Sequence, residues 1–309
     1  MKITKLEDCP GWQVMNEGGL DKRAQNRDYF FGLSPSGCND MASCSMKYKF
    51  SRIDKLPNKQ SLPLVYGNAM HDGYEILMNQ IMAGGKMDVG AVPETPIEDG
   101  YRTKKYRPFK EVWYSNEGSE WTDGKATKWL LDKEYNRLMT SFHGFKDKWE
   151  GIIHPVFTEP LLILPVPGGE DMDLHLVGYI DLGCIIDNDF HVMDYKSARE
   201  LPKINDITGE YKVDAGYRQQ LAAYAAAVWN WKLPNGEQKC GLLYTGKDDD
   251  PEHIRVDVTV NQLEVDAYAR KLINYAKIIK QDLFTINRSY TLCSKKFCSF
   301  WDDCHEQFG

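Results

Sequence analysis

The sequence predicts an α/β fold with a central mixed β-sheet flanked by helices. Two observations carry that expectation. Apolar residues recur at helical spacing up to about residue 150, and the period then changes to two. After residue 150 the order is strand run, helix, strands and helix, which suits helices packed on a sheet. The chain has 309 residues, 42% apolar and 27% charged, so it is long enough to bury a substantial core.

In order along the chain, residues 1–32 are polar and mixed, with no clear period. LSPSGCNDMASCSMKYKFSRI offers Ser36 or Asn39 as the cap of a short helix. VYGNAMHDGYEILMNQIM sets Met70, Tyr74, Leu77, Met78 and Ile81 at helical spacing, with His71 one turn ahead of Glu75. Residues 83–110 read as loop. From about Asp123 to Trp149 the pattern is helical, with Trp129, Leu130, Tyr135, Leu138 and Phe142 as its buried face. FTEPLLILPVPG, DLHLVGYIDLGCII and FHVMDYKS read as three successive strands. VDAGYRQQLAAYAAAVWNW is an alanine-rich helix capped by Asp214. CGLLYTG and EHIRVDVTV are two further strands, and a long helix capped by Asn261 or Asp257 follows.

No run of eighteen apolar residues predicts a membrane span, and MKITKLEDCPGW lacks the apolar core of a secretory signal. The expectation is a cytoplasmic protein, so its eight cysteines are free thiols or metal ligands rather than a disulfide framework. A net charge of −7 excludes an all-over basic coat for nucleic acid but not a local basic groove. There is no P-loop, hence no motor.

The run GYIDLGCIIDNDFHVMDYKS places Asp181, Asp194 and Lys196 on strands that otherwise read as buried. With Asn188-Asp189 as a two-residue hairpin loop, Asp181 sits opposite Lys196 and shares a face with Asp194; a three-residue loop sends Asp181 to the other face. Neighbouring carboxylates repel unless a cation or proton lies between them, and hard oxygen ligands suit Mg²⁺ or Mn²⁺. The alternative is a surface hairpin with a cross-strand Asp–Lys ion pair.

Several segments, in order, make the chain resemble the PD-(D/E)XK nuclease superfamily, and within it the RecB-like and AddB-like iron–sulfur nucleases, among them CRISPR-associated and phage exonucleases. They are SPSGCNDMASCSMKYKF around Cys44, GNAMH (a G-x-x-x-H motif), GYID, MDYKS, QQLAAY (a Q-x-x-x-Y motif) and the C-terminal cysteines. The resemblance implies a restriction-endonuclease-like core with a helical insertion and an iron–sulfur closure of the termini. It implies one nuclease domain, 1–309: 33–82 with the cysteine element and first core helix, 83–150 as loop and helical insertion, 151–260 as catalytic sheet and Gln-motif helix, and 261–309 as final helix and cysteine cluster.

By the same resemblance Asp181 and Asp194 ligate the catalytic metal, with the Tyr195 carbonyl, His71 and Glu159 as further members of the site. Lys196 positions the attacking water or stabilises the transition state, and Gln220 orients Lys196 or contacts DNA, with Tyr224 beside it. A [4Fe–4S] cluster is held by Cys44, Cys293, Cys298 and Cys304, with Cys38 in reserve for Cys44. Zn²⁺ is the alternative at that site, with Cys44 or His305 as fourth ligand. Two departures from the family pattern are the four residues between Cys293 and Cys298, where two are usual, and Ser45 in place of a proline. Cys184 and Cys240 read as core residues.

For the substrate, Arg102, Lys104, Lys105, Arg107 and Lys110 interleave with Tyr101, Tyr106 and Phe109, a pattern of charge and stacking suited to single-stranded nucleic acid. The expectation is a metal-dependent exodeoxyribonuclease on single-stranded or end-opened DNA. It would serve recombination, repair or phage DNA processing (in the host cytoplasm if phage-encoded), with a separate helicase, annealing or recombination protein. The competing readings are a non-catalytic DNA- or partner-binding module on the same scaffold and a zinc-dependent structural protein.

Overall fold

The computed structural model describes residues 2–17, 31–98, 106–122, 124–205, 209–289, 291–295 and 297–309. Helix α1 (Pro10–Glu17) forms in a stretch whose sequence shows no period. It is held from outside: a Cβ on Gly11 would lie 1.7 Å from the Ala227 carbonyl oxygen, so only glycine allows this approach. Strand β1 (Phe31–Leu33) leads into α2 (Pro35–Ser43). The cap of α2 is Ser34, not Ser36 or Asn39: its hydroxyl accepts the Gly37 N–H, and Pro35 at the first helical position needs no donor. A short helix, α3 (Ser45–Tyr48), follows.

Helix α4 (Leu62–Met82) buries Met70, Tyr74, Leu77 and Met78 as its spacing predicts. The stretch expected to be loop contains β2 (Pro96–Glu98) paired with β3 (Tyr106–Pro108), and then α5 (Phe109–Tyr114). After β4 (Glu120–Trp121) and β5 (Gly124–Lys125), α6 (Lys128–Trp149) starts at Thr127, whose side chain accepts the Leu130 N–H. Its buried stripe is Leu131, Tyr135, Leu138, Phe142, Phe145 and Trp149, a strict alternation of four and three. Trp129 falls off that stripe and is 71% exposed, against expectation.

Two strands that read as continuous are each broken once, and the breaks face each other. FTEPLLILPV forms β6 (His154–Thr158) and β7 (Leu161–Pro165). DLHLVGYIDLGCII forms β8 (Leu174–Tyr179) and β9 (Leu182–Ile186). β7 pairs with β8 and β6 with β9, so one long hairpin bends from one sheet into another. At the bend Glu159 takes the left-handed conformation (φ 45°), and Pro160 has no N–H to give. Two bonds still span it: Glu159 N–H to the Asp181 carbonyl (3.3 Å) and Ile180 N–H to the Pro160 carbonyl (3.4 Å).

β10 (Asp189–Ala198) follows, then α7 (Ala215–Trp229), β11 (Glu237–Gly246), β12 (His253–Asn261), α8 (Gln262–Lys280) and α9 (Trp301–Phe308). The main sheet has the order β12-β11-β10-β9-β6, and a three-stranded sheet has the order β1-β8-β7. β10 and β11 are parallel with α7 as their crossover, while the other main-sheet pairs are antiparallel. Asp214 caps α7 by accepting the Gly216 N–H. At the start of α8, Asn261 and Glu264 form a capping box, so Asn261 rather than Asp257 is the cap.

The β9–β10 loop is Asp187-Asn188, not Asn188-Asp189. Both residues have positive φ (53° and 67°), the type I′ arrangement that matches strand twist. Asp189 therefore pairs with Ile186 and Met193 with Leu182. Continued one step, that register would set Asp181 opposite Asp194 instead of Lys196, but the ladder ends at Met193 and Leu182 and Asp181 lies in the bend.

Alternate strand residues feed two cores. Val192, Leu242 and Tyr244 pack with α7 and α8, whereas Met193, Tyr195 and Leu243 pack with α4 and α6. Among the described residues no helix is long and apolar enough to cross a membrane.

Candidate active site

β10 runs on past β9. From Asp194 onward it keeps β11 on one side, and the hairpin bend occupies the space on the other. Asp181 enters from the bend; its Oδ2 accepts the Tyr195 N–H (2.8 Å) and lies 3.2 Å from His71 Nδ1. Asp194, 1% exposed, is ion-paired with Lys196. The Lys196 ammonium also donates to Gln220 Oε1 (3.3 Å), and Gln220 Nε2 donates to the Tyr224 hydroxyl (2.7 Å). His71 meets the Tyr195 ring edge-on (5.6 Å) and hydrogen-bonds the Tyr195 main chain. Asp181, Asp194, Lys196, His71, Tyr195, Gln220 and Tyr224 thus converge on one place.

Glu159 joins them through the bend. A Glu before Pro at a strand start is usually solvated, but here the left-handed turn swings it inward. Its carboxylate and the ligand atoms of His71 and Asp181 lie within 4.8 Å of one another. Burial and the charges of Asp181 and Glu75 push the Glu159 carboxyl up to about 9. Burial raises Asp181 too, against the pull of Lys196 and the Tyr195 N–H, and it brings Asp194 to about 7 despite Lys196. On α4, burial and Glu75 lift Asp72 to about 7. Burial would depress the Lys196 ammonium, but Asp194 and Asp181 outweigh it and hold it above its ordinary value. Burial takes the His71 imidazole down to about 4, so it is neutral at physiological pH.

Such a set is a cation's environment. Three carboxyls with raised proton affinity, Asp181 and Asp194 buried and Glu159 half-buried, repel one another, and the Lys196 ammonium offsets only part of that repulsion. Asp194 Oδ1 is buried without a hydrogen bond from any described residue. Carboxylates and a carbonyl are hard donors and a neutral imidazole is a borderline one, a set that can hold a divalent cation. The residues present therefore fit a divalent ion.

Sequence reasoning did not assign Asp72, Glu75 or Tyr217 to the site. Glu75, one turn from His71, carried a visible signal in its spacing; Tyr217, one turn before Gln220, carried one only once Gln220 had a role.

Of the basic cluster, Arg102, Lys104 and Lys105, with Tyr101, lie outside the described residues. Arg107 is on β3 and Lys110 in the first turn of α5, at the edge of the α4–α6 layer rather than on the strands that carry the carboxylates. Tyr106 is exposed, but Phe109 is 1% exposed and belongs to the core, so it is not a stacking platform.

Cys44, Cys293, Cys298 and Cys304 line one cavity beside Met46, Phe50 and Phe300, and His305 lies at its wall. Cys38 does not line that cavity: it is buried in the main core. The two chain segments meet through Met46 N–H to the Thr285 carbonyl (3.2 Å) and Asn287 Nδ2 to the Ser43 carbonyl (2.9 Å). Cys184 and Cys240 are buried core residues, as expected.

A family model described as the PD-(D/E)XK nuclease superfamily matches residues 32–305. Among solved structures, a putative exonuclease from Eubacterium rectale is similar with a TM-score of 0.50 and 13% identity, over 90% of this chain and 88% of that one. That likeness is one of fold. SSO0001 covers 94% of this chain at 10% identity, but its TM-score of 0.35 is too low to build on. No curated protein matches significantly.

Proposed function

Because the chain belongs to the PD-(D/E)XK nuclease superfamily, we propose that it is a Mg²⁺- or Mn²⁺-dependent deoxyribonuclease, an exonuclease on single-stranded or end-opened DNA. The observation that supports this most is the meeting of Asp181, Asp194, Glu159, His71 and Lys196 at the hairpin bend, with one Asp194 oxygen buried and unpartnered.

Asp181, Asp194, Glu159, His71 and the Tyr195 carbonyl would hold the metal. When bound, a divalent ion supplies charge that polarises the phosphodiester and acidifies the attacking water. Lys196 stays protonated between its carboxylates, so it acts as a fixed positive donor toward the water or a phosphoryl oxygen and not as a base. His71, kept neutral, offers a lone pair. Gln220, held by Tyr224, fixes the ammonium.

The reading extends to a [4Fe–4S] cluster on Cys44, Cys293, Cys298 and Cys304. Four thiols round one cavity support it. Zinc would set sulfurs about 3.8 Å apart, from Zn–S bonds of roughly 2.3 Å. For DNA recognition we keep the basic run from Arg102 to Lys110, and for the cellular role recombination, repair or phage DNA processing beside a separate helicase or annealing protein.

Degradation of end-labelled single- and double-stranded DNA with Mg²⁺ or Mn²⁺ tests the proposal. Wild type should shorten labelled ends, and Lys196→Ala should be slower by about 10²–10³-fold. Asp194→Ala should be inactive. Equal activity in all three would overturn the assignment.

A further inference from the structure

We propose that Tyr217 is a positioning residue for Lys196: its ring face packs against one side of the ammonium, beside its bonds to Asp194 and Gln220. The proposal rests on the nuclease reading above. Lys196 Nζ lies 4.9 Å from the centroid of the Tyr217 ring, within cation–π range. An ammonium has three N–H donors. Asp194 takes one and Gln220 Oε1 another. An aromatic face attracts the charge without accepting one of those donors in the ordinary way, so the third stays available for a reacting group. A carboxylate or hydroxyl in the same place would consume it.

The helix explains why this tyrosine is there. Tyr217, Gln220 and Tyr224 stand at i, i+3 and i+7 on α7, so the ring, the amide and the hydroxyl that holds the amide share one face. The Asp214 cap fixes the turn that carries Tyr217. On the sheet side Lys196 is in register with the buried Tyr244 of β11. Tyr217 itself is only half-buried. Base stacking is therefore the rival role, and the test must separate the two.

The experiment compares wild type, Tyr217→Phe, Tyr217→Leu and Tyr217→Met in single-turnover cleavage of end-labelled DNA with Mn²⁺, with circular dichroism to verify folding. Phe keeps the ring face and should remain within about twofold of wild type, while Leu and Met should lose about tenfold in kcat with KM nearly unchanged. Three results would overturn the proposal: Leu and Met as fast as wild type, Phe as slow as Leu, or a loss confined to KM that disappears when the terminal nucleotide is abasic. The last would make Tyr217 a stacking platform. Wild type inert on every DNA would fail the nuclease reading instead. The positioning claim is then read by NMR: the Lys196 side-chain methylene protons should show an upfield ring-current shift that Phe retains and Leu loses. Its absence in wild type would refute the contact.

Discussion

Asp194 and Glu159 carry the most direct consequences for pH. Both carboxyls bind protons more tightly in the folded chain than in the unfolded one, Glu159 rising from 4.5 to about 9 and Asp194 from 3.8 to about 7. A group raised in this way stabilises the fold below its unfolded value, and that stability is lost as pH climbs through the folded value. The depressed imidazoles of His71, His191 and His253 act in the opposite sense, and because the unfolded rings lose their protons near pH 6.5 their effect is spent by about pH 7.5. The metal-free protein should therefore show a falling thermal midpoint from pH 7.5 to 9. Added Mn²⁺ displaces those protons, so its stabilisation should grow over the same interval, and Glu159→Gln should flatten both curves. A midpoint that rises with pH would contradict this account. At this scale Asp181, Asp194, Lys196 and His71 were legible because charge on an apolar strand or beside a helix stripe demands a partner. Glu159 was weakly legible, since nothing local distinguishes it from a solvated residue before proline.

At the level of elements, helices were read well wherever the apolar spacing is their own, as in α4, α7 and α8. α1 escaped because its place is set by contact with α7. That contact makes a sharp prediction. Gly11→Ala would drive a methyl into the Ala227 carbonyl, which is backbone and cannot step aside. The expected cost is about 1–3 kcal/mol, read as a lower urea midpoint, with cleavage retained at low temperature because Gly11 does not touch the site. No change in midpoint would mean that α1 packs elsewhere. The strand breaks were illegible for a different reason. Strand-forming apolar residues continue on both sides of each bend, so each stretch reads as a single strand, and Pro160 was the one local signal. The hairpin register was misplaced because Asp187-Asn188 and Asn188-Asp189 are both good turn dipeptides. Cross-strand packing, with Ile186 paired to Asp189, decides between them.

Across the whole molecule, the sequence spacing of the cysteines did not show which of them share a cavity; Cys44, Cys293, Cys298 and Cys304 line one, and Cys38 lies in the main core. Cys298→Ser should reduce iron per chain to background while far-UV circular dichroism keeps the sheet signal, because hydrogen bonds between residues 43–46 and 285–287 join the segments independently of any cluster. Unchanged iron content would remove Cys298 from the ligand set. The main sheet separates two cores, and the site draws on both: His71 from the α4–α6 side, Gln220 and Tyr217 from the α7–α8 side. Neither half can hold the reacting constellation alone. Heat inactivation should accordingly follow whichever half loosens first, so that enzymatic half-life reports the weaker layer even where the bulk of the chain remains folded.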